Sequence, residues 1–118
     1  MAVTTETEAT VRQKLLEQEL ERYLHLLTEH DTPERIILYG SLATGQVHAW
    51  SDIDLVVIKP TSRPFWQRLR EIWQLLEPRV GTDILVYTPQ EFAQLCKERP
   101  FFQKEILDKG VTLYERGR

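Results

Sequence analysis

Between Arg35 and Ile58 the only formally charged residues are Arg35, Asp52 and Asp54, and the two acids stand directly before the longest uncharged aliphatic run of the chain, Leu55 to Ile58. That run, ended by Lys59 and Pro60, reads as a strand over residues 52–58. Side chains two apart on a strand share a face, with Cα atoms about 6.6 Å apart, so both carboxylates converge while Ile53 turns into the core. Two carboxylates about 5 Å apart repel by roughly 3 kcal/mol at an effective dielectric of about 20. A marginally stable domain seldom carries such a cost idly. A divalent cation reverses its sign, and all-oxygen ligands suit Mg²⁺ or Mn²⁺ shared with substrate phosphates.

The arrangement recurs at Asp83, which opens the apolar run Ile84 to Tyr87 in a strand predicted over residues 82–87. If the two strands are neighbours, about 4.8 Å apart, Asp83 completes a three-carboxylate cluster able to hold two ions about 4 Å apart. Upstream, Arg35 to Tyr39 reads as a short strand ending at Gly40 and Ser41. Glycine there allows close backbone approach. Free amides at a helix start favour phosphate, and the Ser41 hydroxyl adds a donor.

Around these residues the chain alternates helix and strand. Leu16, Leu20, Tyr23, Leu24 and Leu27 share one face of a helix from about residue 8 to 29, and residues 42–50 read as one or two helical turns and a loop. A further helix is predicted after Thr61 or Ser62 as cap, with Pro64 in its first turn and Phe65, Leu69, Ile72, Trp73 and Leu76 as its apolar stripe, ended by Pro78. Thr88 and Glu91 form a capping-box pattern. A last helix spans about 101–109 with Gly110 as its cap, and residues 111–114 can add an edge strand. Trp66 and Trp73 are expected in the core or on a partner surface, Trp50 over the core edge, and Arg63, Arg68 and Arg70 on a solvated face. The three histidines lack metal-ligand spacing and receive no chemistry. This alternation predicts an α/β sheet covered by helices.

With 118 residues the chain is the size of one domain, here residues 8–118 after a frayed N-terminus, 1–7. Fifteen Lys and Arg against eighteen Asp and Glu give a net charge of −3, which offers no broad field to a nucleic acid. No apolar run approaches the roughly 18 residues of a membrane span. The single cysteine, Cys96, reads as an inert helix-face residue and suits a reducing compartment, so a cytoplasmic location is expected.

Gly40 and Ser41, ten residues, then Asp52 Ile53 Asp54, and later Asp83 resemble the signature of the DNA polymerase β-like nucleotidyltransferase superfamily. The stretches Leu38 to Gly45 and Ser51 to Val57 are similar to its minimal nucleotidyltransferases, the small MntA-like antitoxins that accompany a HEPN-domain ribonuclease toxin. The resemblance spans Arg35 to Tyr114. It implies a single small nucleotidyltransferase domain with a mixed sheet of three to four strands. It also implies Mg²⁺-dependent transfer of AMP from ATP to a hydroxyl, a tyrosine of the toxin in the HEPN pairs. Gly40 and Ser41 then match the triphosphate-binding turn, Asp52 and Asp54 the paired metal ligands, and Asp83 the third carboxylate, which helps activate the acceptor. Family members often carry Arg where this chain has Leu42 and Thr44, so Arg35 or a basic residue of the partner would have to substitute. The size leaves no room for an acceptor-binding domain, which favours a protein acceptor. The rival readings are a non-catalytic antitoxin that masks its partner and a subunit of an antibiotic-modifying transferase. Homo-oligomeric state, a homodimer included, stays open.

Overall fold

The amphipathic pattern that opens the chain folds as predicted. In the computed structural model, which describes residues 7–117, the Thr7 hydroxyl caps helix α1, Glu8–His30, by accepting from the Thr10 amide. Leu16, Leu20, Tyr23 and Leu27 form its buried stripe. The expected fraying of the first residues falls outside the described residues, except at the capping Thr7.

Strand β1, Arg35–Tyr39, leads through Gly40 into the single turn α2, Ser41–Thr44, closed by Gly45 in the left-handed conformation. Strand β2, Ile53–Ile58, begins one residue later than predicted, with Asp52 just ahead of it. Helix α3, Phe65–Leu76, starts after Pro64, which occupies the capping position itself. Neither Thr61 nor Ser62 caps it; the Thr61 hydroxyl instead accepts from the Arg63 amide in the preceding turn. Strand β3 is Thr82–Tyr87, and helix α4, Pro89–Glu98, carries the Thr88–Glu91 capping box in full. The last helix is a π-helix, Phe102–Asp108, and strand β4, Val111–Glu115, follows it.

The sheet order is β3-β2-β1-β4, with β1 antiparallel to both β2 and β4, and β2 parallel to β3. A parallel pair requires a crossover, and α3 is that crossover. Strand alternation divides the core in two. On one face Ile36, Leu38, Ile53, Leu55, Val57, Ile84 and Val86 pack with α1 and α3. On the other, Ile37, Tyr39, Val56 and Ile58 meet Phe92 of α4 and Ile106 of the π-helix. The result is an α/β domain with a mixed four-stranded sheet between two helical layers, as the resemblance implied.

Several side chains depart from expectation. Trp73 and Phe65, placed in the apolar stripe of α3, are exposed, and Trp66 is 62% exposed, so Ile72 and Leu76 carry the packing. Trp50 covers little of the core edge at 81% exposure. Arg68 is buried instead of solvated: it donates to the Glu91 carboxylate from α4, to the Val86 carbonyl and to the Arg63 carbonyl. It is the polar pin between α3, β3 and α4. The Arg68 guanidinium holds the Glu91 carboxyl below the usual range.

Candidate functional site

Parallel neighbours start from the same end of a sheet, and this sets the geometry of the acids. In the β2–β3 register Asp54 pairs with Asp83, so the two side chains leave adjacent strands on the same face. Across β1, Asp54 pairs with Tyr39, the last residue before Gly40. The end of β1 and the starts of β2 and β3 therefore form one rim. It carries Gly40, Ser41, Asp52, Asp54 and Asp83, the residues that the sequence singles out.

Contacts along this rim are close. Gly40 has φ of 77°, and a Cβ built on it would collide with the Asp54 carboxylate. Gly81, ahead of β3, stands in the same relation to Asp52. Glycine at both positions is what lets backbone approach the acids. Burial first, then repulsion from Asp83 and Asp52, pushes the Asp54 carboxyl up to about 6. Burial, helped by Asp83 and Asp54, also raises the Tyr39 phenol well above the usual tyrosine range. The Ser41 hydroxyl donates to the Ser51 hydroxyl at 2.9 Å, and Ser51 also accepts from the His48 amide. This ties the turn after β1 to the segment before β2.

The donor set is a test of the expected cation. It is all carboxylate oxygen, with Asp54 beside Asp83 in the register and Asp52 directly ahead of β2, so the residues fit Mg²⁺ or Mn²⁺. Among the described residues no three His, Cys, Asp or Glu side chains are gathered tightly enough to cage one ion. Mg²⁺ chemistry does not require a cage, because that ion commonly takes one or two carboxylates and completes its shell with water and phosphate oxygens.

Arg12 is the participant that sequence reasoning missed. Its Nε donates to the Ser51 carbonyl at 2.8 Å and an Nη lies 3.7 Å from Asp52 Oδ1. No local pattern marks it. Arg35, the expected substitute cation, is at the other end of β1 and pairs with Ile58, roughly 13 Å along the strand from the acids. It lines a cavity of about 600 Å³ with Phe92, Cys96 and Arg116, remote from the site. Of the positions where family members often carry Arg, Leu42 packs partly against the core and Thr44 is exposed. A groove of about 520 Å³ beside Arg12 is lined by Val11, Leu15, Ala49 and Trp50.

Comparison with known proteins agrees with this geometry. The sequence profile of the family described as Polymerase beta, Nucleotidyltransferase matches residues 5–118. No curated protein sequence matches significantly. The fold is similar to that of a candidate nucleotidyltransferase from Sulfolobus solfataricus, with a TM-score of 0.65 at 18% identity over 98% of this chain and 94% of that one.

Proposed function

Since this chain belongs to the polymerase beta nucleotidyltransferase family, we propose that it transfers AMP from ATP to a hydroxyl of a partner protein, a tyrosine of a HEPN-type toxin, and so acts as the antitoxin of the pair. The observation that carries this reading is the shared rim, on which Asp52, Asp54 and Asp83 stand at the starts of β2 and β3 and Asp54 lies against the Gly40 turn.

In the proposed reaction the acceptor oxygen bonds to the α-phosphorus, the bond to the bridging oxygen of the β-phosphate breaks, and pyrophosphate leaves. Asp83, exposed on the edge strand, takes the hydroxyl proton. Gly40 and Ser41 present the turn that receives the phosphates. Asp52 and Asp54, with Asp83, would hold divalent ions, which supply Lewis-acid stabilisation of the phosphoryl oxygens and the leaving group when bound. The acids open onto the surface, with the Asp52 side chain 54% exposed, and this suits an acceptor that arrives on another polypeptide.

The test is co-incubation of the protein with a HEPN-type toxin and ATP labelled at its α-phosphate. Asp52→Ala is expected to abolish labelling while circular dichroism shows an intact fold; undiminished labelling would refute the assignment. Masking without catalysis is the second reading, favoured by the uncharged Leu42 and Thr44. It predicts that Asp52→Ala still suppresses the toxin.

A further inference from the structure

We propose that Arg12, near the start of α1, is the cationic contact of this site for the terminal phosphates of a nucleoside triphosphate; the inference rests on the nucleotidyltransferase reading above. A triphosphate needs positive charge from its binder as well as amide donors. The short helix α2 has none to give, and Arg35 lies at the far end of β1. Arg12 is a cation that the fold places against the acidic rim.

Its geometry is that of a held but unsaturated guanidinium. The bond from Nε to the Ser51 carbonyl fixes the plane of the group. The approach of Nη to Asp52, at 3.7 Å, is an electrostatic contact too long for a hydrogen bond. The Nη edge thus keeps donors for a bidentate contact with two oxygens of a phosphate. Ser51 connects this edge to the phosphate turn, since its hydroxyl accepts from Ser41 while its carbonyl accepts from Arg12. An arginine kept only for helix stability would pair three or four residues along its own helix. Arg12 reaches instead across 39 residues to the segment that presents Asp52. Its side chain is only 23% exposed, so the position is built into the site.

Calorimetric titration with ATP and with AMP, in the presence of Mg²⁺, separates this role from a structural one. Arg12→Gln is expected to weaken ATP binding about tenfold, the scale of one charged hydrogen bond, while leaving AMP binding unchanged. Arg12→Lys, which keeps the charge but not the two-pronged donor, is expected to restore only part of the difference. Equal ATP affinity in wild type and Arg12→Gln, or an equal loss for ATP and AMP, overturns the proposal. Should Arg12→Gln fail to fold, phenylglyoxal footprinting of the wild type decides: ATP protects Arg12 and AMP does not, and equal modification in both overturns the role. A wild type that binds no ATP overturns this inference together with the family function. A wild type that transfers AMP while Arg12→Gln keeps its KM for ATP overturns only the inference.

Discussion

Asp54 is held by the fold at a cost that pH can reveal. Its folded-state pKa, about 6, stands above the ordinary 3.8 because burial and two neighbouring acids disfavour the charge. The folded state therefore holds this proton more tightly than the unfolded chain does, and stability falls as pH rises from about 4 to about 6. Asp54→Asn removes that dependence. We expect the variant to gain about 1 kcal/mol at neutral pH, after allowance for solvent screening at a half-buried site. Thermal melts at pH 4.5 and 7.5 check it: the gain appears only at the higher pH, and equal melting points at pH 7.5 would contradict it. At this scale the acids were legible because charged residues are conspicuous beside Leu55 to Ile58. Arg12 was not, since its meaning comes only from α1 crossing the start of β2, and nothing local separates it from the other arginine of that helix, Arg22. Arg68 was misread for the same reason: a buried guanidinium is defined by Glu91 and Val86, partners that no spacing rule connects to it.

Among the elements, the junction from β1 into α2 is the one whose conformation the site most depends on. Gly40 combines φ of 77° with ψ of −160°, a region open essentially to glycine, and it faces the Asp54 carboxylate. Gly40→Ala is expected to cost about 2 kcal/mol and to abolish transfer by displacing that carboxylate. Urea denaturation and α-phosphate labelling measure the two effects, and full activity in a stable variant would show that the turn can relax. The strands and the three longer α-helices were legible from periodicity, and α4 also from its cap at Thr88 and Glu91, whereas the cap expected for α3 at Thr61 or Ser62 is not used. The last helix was legible in its position but not in its π type. Its wider turn accompanies two adjacent aromatics that serve different neighbours, Phe101 against Tyr39 and Phe102 against Tyr87 and Phe92, and such packing is invisible in a linear pattern.

For the whole molecule, the sheet works as a wall between two apolar layers, and strands β1 and β2 at its centre belong to both. Loss of either layer should release the other. Leu55, fully buried on the α1 and α3 side, tests this: Leu55→Ala is expected to cost about 2–5 kcal/mol. Urea transitions followed by tryptophan fluorescence and by far-ultraviolet dichroism should shift together, and separated midpoints would show that the layers unfold independently. The same topology has a practical side. Strands β2 and β3 begin at the acidic rim, and the segment joining β2 to α3 hangs from the opposite one, about 20 Å away along β2. Ser62 is exposed there. A fluorophore, affinity handle or surface tether attached at that residue leaves the acidic rim uncrowded, so the protein can be immobilised or tracked while ligands reach that rim.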